Sequence, residues 1–132
     1  MTRIESKKVL VSASPEQTFA FLSDMNNIIH LLPEDKISNW QSDEKYCSFK
    51  IQNAYTISLE FKESTPHSSI TYSSGSGSPF AFTLNVSLTE VDGKTEAQQI
   101  CDANINPFLE MMVKGPLTNL FDYMADKLGK RF

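Results

Sequence analysis

Cysteine and histidine are scarce in this chain, with two of each among 132 residues. Cys47 and Cys101 stand far apart and form no Cys-x-x-Cys pair, so they read as buried, reduced thiols of a cytoplasmic protein. His30 and His67 have no second ligand type at metal spacing, and neither a metal site nor a cofactor is expected. Glycine is sparse too. Gly75-Ser76-Gly77 lacks the third glycine of a dinucleotide loop, is followed by Pro79 instead of a helix, and misses the Gly-x-Ser-x-Gly pattern of a nucleophile elbow. No apolar run approaches the roughly 18 residues that cross a bilayer. Val9-Leu10-Val11, behind Arg3, Lys7 and Lys8, falls short of the about 7–15 apolar residues of a secretory signal. Stable membrane insertion is therefore not expected, and the expected location is cytoplasmic.

Basic charge is also short. Twelve Lys and Arg stand against 16 Asp and Glu, for a net charge of −4. They are dispersed, the closest groups being Lys7-Lys8 and Lys127, Lys130 and Arg131. Nucleic-acid binders concentrate such residues on one face, so no nucleic-acid partner is expected.

What is present is a strong succession of secondary-structure signals in a chain long enough to bury a core unaided. No repeat or linker divides it, so one domain spanning residues 1–132 is expected. Residues 3–11 read as a first strand. Ser14 then has the features of an N-cap, with Pro15 at the first helical position and Gln17 completing a Ser-x-x-Gln capping box. Phe19, Leu22, Met25, Ile29 and Leu32 follow at helical steps; Asp24 to Asn27 break the segment into two short helices, and Pro33 ends the second.

From Lys36 to Asn106 the pattern alternates. Asp92-Gly93 favours a tight two-residue hairpin, in which residues whose numbers sum to 185 face one another. Phe80, Phe82, Leu84, Val86 and Leu88 then oppose Ile105, Ala103, Cys101, Gln99 and Ala97 on an apolar face, while Thr83, Asn85 and Ser87 line the wet one. An odd-length turn around Asn53 would bring Cys47, Phe49 and Ile51 to the same side as Ile57, Leu59 and Phe61. A hairpin at Thr65-Pro66 would set Phe61 opposite Ile70 and Leu59 opposite Tyr72. Ser73 to Ser78 reads as a flexible connector.

The last quarter, Phe108 to about Lys130, is a long amphipathic helix. Its apolar stripe is Leu109, Met112, Val113, Leu117, Leu120, Phe121, Met124 and Leu128, and Gly115-Pro116 is expected to interrupt and kink it. The expected fold is α+β. A curved antiparallel sheet of six to seven strands wraps around the closing helix, with two short helices after the first strand.

This order, together with Ala13-Ser14-Pro15-Glu16-Gln17-Thr18-Phe19-Ala20-Phe21-Leu22-Ser23-Asp24 and the second helix ending at Leu31-Leu32-Pro33, resembles the SRPBCC superfamily. That is the helix-grip group of START-like lipid-transfer, pollen-allergen-like and polyketide cyclase-like proteins. The resemblance implies a hydrophobic pocket between sheet and closing helix, used by different members for lipids, quinones, polyketides or hormones.

Two polar residues, Tyr72 and Gln99, fall on the otherwise apolar inner face. A buried hydroxyl or amide needs partners, supplied either by backbone or water or by the polar end of a ligand. The ligand-binding residues expected are Phe49, Leu59, Tyr72, Phe82, Leu84, Gln99, Leu109, Met112, Val113 and Leu117, lining a cavity for a small hydrophobic molecule. Catalysis has no clear constellation, and no catalytic residue is assigned. The alternative is a cyclase- or dehydratase-like enzyme in which Tyr72, His30 or Glu110 moves protons in the same pocket. A third reading is a protein-interaction module with a filled core.

Overall fold

The structure is a computed structural model that describes residues 2–51, 55–75 and 78–132. The chain begins with β1 (Thr2–Glu5) and β2 (Val9–Val11), which are one strand broken by a bulge. Both pair antiparallel with the same partner, β8 (Lys94–Asn104), but the register steps between Glu5 opposite Ile100 and Val9 opposite Ala97. Ser6 occupies the step. Its N–H donates to the Gln99 carbonyl and its Oγ accepts from the Gln99 N–H, both at 2.9 Å, so the ladder is patched by a side chain.

Helix α1 (Pro15–Ser23) starts as expected. Ser14 Oγ accepts from the Gln17 N–H, and Gln17 Oε1 accepts from the Ser14 N–H, each at 3.2 Å. Asp24 then caps a 3-10 helix, Met25–Leu31, by accepting from the Asn26 N–H. A second 3-10 turn, Glu34–Lys36, leads into the sheet. The sheet continues through β3 (Ile37–Asp43), β4 (Tyr46–Ile51), β5 (Tyr55–Thr65), β6 (Ser69–Ser74) and β7 (Ala81–Val91). Its order is β1-β8-β7-β6-β5-β4-β3, antiparallel throughout, with β2 beside β1 on β8. Six to seven strands were expected; the eight are seven with the first one broken.

The Asp92-Gly93 hairpin has the expected register from Val91 opposite Lys94 to Phe82 opposite Ala103, but the ladder stops at Ala81 opposite Asn104, so Phe80 and Ile105 fall outside the strands and do not pair as expected. Positive φ at Asp92 (52°) and Gly93 (80°) is what such a turn demands. Phe82, Leu84, Val86 and Leu88 are buried, while Thr83, Asn85 and Ser87 are not. Cys47 faces Leu59 and Phe49 faces Ile57, so their side chains share the inner face; the turn around Asn53 that was to join them lies outside the described residues.

The Thr65-Pro66 register is different from that expected. Ser64, not Phe61, lies opposite Ile70, and Phe61 lies opposite Tyr72. Pro66, His67 and Ser68 form a three-residue loop in which His67 takes a positive φ of 68° and the Ser68 N–H returns to the Thr65 carbonyl. Proline second and a positive φ third is a type II arrangement, and a bulge between Phe61 and Glu63 absorbs the offset. Residues 76–77 of the Ser73–Ser78 connector lie outside the described residues, but the residues on either side of them are held to β5. The Gly75 N–H bonds the Ser58 carbonyl, and Ser78 Oγ both accepts from the Ser58 N–H and donates to its carbonyl. A Cβ on Gly75 would sit 2.7 Å from that of Ser58, so glycine permits the close approach.

Helix α2 (Pro107–Arg131) closes the fold, with the Asn106 side chain accepting from the Leu109 N–H. It runs through Pro116 without interruption, so Gly115-Pro116 does not divide it as expected. Val113, Leu117, Leu120, Phe121, Met124, Ala125 and Leu128 are buried. Leu109 is only partly buried and Met112 is 59% exposed, so the expected stripe holds from Val113 onward but fails in the first two turns.

Candidate functional site

The sheet's inner face and α2 meet in an apolar seam, and two buried side chains of the sheet carry polar atoms to the helices. Gln99 is held in place by Ser6, which bonds both its backbone N–H and its carbonyl. The Gln99 side chain, 5% exposed, donates from Nε2 to the Phe121 carbonyl of α2 at 3.1 Å. Tyr72 on β6 donates its hydroxyl to the Leu22 carbonyl in α1 at 2.7 Å. Each ties a helix to the sheet. Tyr72 is thereby satisfied, whereas Gln99 Oε1 receives no hydrogen bond from any described residue.

Three spaces follow one another along α2. A surface groove of about 370 Å³ lies between Pro33, Lys36 and Ile51 on one side and Pro116, Leu120 and Tyr123 on the other. Leu120 also lines an internal void of about 10 Å³, with Phe49, Ile57, Leu59, Phe80, Phe82, Leu84, Cys101, Leu117, Phe121 and Met124. Leu59, Leu84 and Met124 in turn border a second void of about 10 Å³, which reaches Tyr72, Gln99, Leu22, Ile28, Leu31, Val86 and Leu128. None of the residues lining the two voids carries a charge.

Phe49, Leu59, Phe82, Leu84 and Leu117 thus come together at the first void, and Tyr72 and Gln99 at the second. Leu109, Met112 and Val113 line neither: Val113 is buried elsewhere in the core, Leu109 packs on its edge half-buried, and Met112 is mostly exposed. Between sheet and helix, the expected cavity is reduced to these two voids. Beside the small residue Cys101, the side chains of Leu120, Phe121 and Met124 occupy the space that a pocket would need.

Burial pushes the thiols of Cys47 and Cys101 up to about 12, with the neighbouring Asp102 charge adding to the effect at Cys101. Both are inert packing at neutral pH, because the thiolate is the nucleophile. Burial also raises Tyr72, and this hydroxyl stays protonated. The proton-transfer set of the enzyme reading is not assembled. His30 is exposed beside Phe21, and Glu110 lies on the outer part of α2, 4.0 Å from Lys114. Among the described residues no three His, Cys, Asp or Glu side chains gather in a way that would hold a metal. No described helix is long and apolar enough to cross a membrane.

No protein-family model matches the chain, and no curated protein matches it by sequence. Solved structures do match it in shape. A START superfamily protein from Mycobacterium smegmatis superposes with a TM-score of 0.75 at 16% identity, covering 98% of this chain and 95% of that one. The fold is START-like. The protein XoxI from Bacillus cereus is similar with a TM-score of 0.77 at 14% identity over 100% of this chain and 96% of its own. A Thermobifida fusca protein gives 0.72 at 11% identity over 99% and 93%.

Within this START-like frame, sequence reasoning missed Ile57, Phe80, Cys101, Leu120, Phe121 and Met124 as neighbours of the first void. All six had been placed on the right face: Ile57, Phe80 and Cys101 by alternation, and Leu120, Phe121 and Met124 by helical spacing. The missing signal was the crossing point of α2, which decides which turn of the helix overlies which strand.

Proposed function

We propose that the protein binds a small, predominantly apolar molecule non-covalently in the seam between the sheet and α2. One observation carries this reading: the groove and the two voids lie in series along a single helix, sharing Leu120 at the first boundary and Leu59, Leu84 and Met124 at the second. The voids hold about one water each, so a guest enters as α2 moves outward and its apolar side chains change rotamer. Met124 at the second boundary suits such rearrangement, being unbranched and soft. Affinity comes from apolar transfer, at about 25 cal/mol per Å² removed from water. The chain acts as one domain, and the two buried free thiols fit a reducing, cytoplasmic setting.

The filled interior also favours a second reading, an interaction module acting through its surface. Phe108, Met111 and Met112 are 72%, 84% and 59% exposed on the first turns of α2, where a partner would find them. Native mass spectrometry separates the two. A co-purifying mass released by organic extraction, or a melting temperature raised by long-chain alcohols or acids, supports the binding reading. A ligand-free protein whose melting temperature no such molecule moves overturns it.

A further inference from the structure

Within the reading just given, and resting on it, the unpartnered oxygen of Gln99 defines the chemistry of the guest. The residue is fixed at both ends: Ser6 pins its backbone, and the Phe121 carbonyl accepts one hydrogen of Nε2. Gln99 lines the second void, and its buried Oε1 accepts nothing from any described residue. A buried acceptor left without a donor is costly, and a group that supplies one gains most of that cost back. The other polar group there, the Tyr72 hydroxyl, spends its hydrogen on Leu22. The voids therefore present an unmet need for one donor, in surroundings without a positive side chain.

We propose that the site selects neutral apolar molecules bearing one hydroxyl or amide N–H, bound donor-first at Gln99 Oε1 with the tail running past Phe82 and Leu117 toward the groove. An ionised carboxylate is excluded on two counts. It brings no hydrogen to Oε1, and it finds no cation to offset its desolvation.

The test compares 1-decanol, decyl methyl ether and decanoate at about pH 8, where the acid is ionised, by calorimetric titration and thermal shift. Decanol is expected to bind about tenfold or more tightly than the ether, and decanoate more weakly than either. In Gln99→Leu the preference of decanol over the ether should collapse to about onefold, while the ether binds at least as well as before. Gln99→Met serves as the second variant, and the wild-type ranking decides the matter even if neither variant folds. Equal binding of all three probes, or tightest binding of decanoate, overturns this inference and leaves the hydrophobic-binding reading standing. No saturable binding of any probe overturns that reading and this inference with it.

Discussion

Between Leu117 and Leu128, α2 buries nearly every apolar side chain it has. Between Phe108 and Met112 it leaves three large ones mostly in solvent. The C-terminal half is anchored by several different interactions. Gln99 bonds the Phe121 carbonyl, the Lys7 N–H bonds Asp122 at 2.8 Å, and the Lys7 ammonium meets Asp126 at 2.7 Å. Gly129 lies so close to β2 that an added Cβ would fall 2.5 Å from Val9 Cγ2. The N-terminal half has the Asn106 cap, the Glu110–Lys114 pair and little packing before Val113. A cap and an exposed ion pair are worth about 1 kcal/mol or less each, and Pro116 removes one helical hydrogen bond between the halves. One helix therefore contains a fixed segment and a segment with a low cost of local opening. The groove lies at their junction, beside Pro116 and Leu120.

Truncation should expose this contrast most strongly. Phe121→Ala is expected to cost about 3–5 kcal/mol in chemical denaturation, whereas Phe108→Ala should stay within about 0.5 kcal/mol of wild type. Similar losses at the two positions would mean that the N-terminal half is packed as firmly as the other.

Alkaline titration asks whether water reaches the seam. The folded-state thiols of Cys47 and Cys101 sit at about 12, above their ordinary 9.0. Below pH 9 both states keep the protons and the stabilisation is complete. Above it the unfolded chain loses protons that the folded chain retains, so stability should fall between pH 9 and 12. The slope is at most about 1.4 kcal/mol per pH unit for each thiol. Cys47→Ala with Cys101→Ala should flatten the decline. If wild type already shows none, the seam is open to solvent.

The two helix glycines give the smallest and most local comparison. Gly129→Ala must displace Val9 and should destabilise by about 1–3 kcal/mol, with Val9→Ala restoring much of the loss. A Cβ on Gly115 meets nothing within 4 Å, so Gly115→Ala should stabilise by about 0.5–1 kcal/mol through helix propensity alone. A stabilising effect at both positions would contradict the close approach of α2 to β2.

These contrasts also show which parts of the molecule could be read in the sequence. Asp92-Gly93 admits one hairpin geometry, so a two-residue turn determined the pairing of eleven residues on each strand and the inward face of Gln99. Pro66 and His67 close a three-residue loop compensated by a bulge at Phe61, and neither feature leaves a periodic trace. The break at Ser6 depends on one hydroxyl replacing a ladder bond, which alternation of apolar residues cannot report. Helical spacing identified the side of α2 that faces inward. It could not say that Met112 would stay exposed, nor that Phe121 and Met124 would fill the room left by Cys101. Faces are a property of one element's sequence. Voids depend on the volumes of two.

The bulge in β3, where the pairing shifts between Ser38 and Gln41 and Asn39 takes a positive φ of 56°, lies on a free edge of the sheet. A regular strand there would offer a row of N–H and C=O groups to any extended chain that drifted past. The twisted backbone at Asn39 disrupts that row, and at the opposite edge Ser6–Lys8 interrupts β1 and β2 among the charges of Arg3, Glu5, Lys7 and Lys8. Both margins of the sheet are thus poor templates for a further strand, which protects a molecule built around an eight-stranded sheet from edge-to-edge aggregation at high concentration.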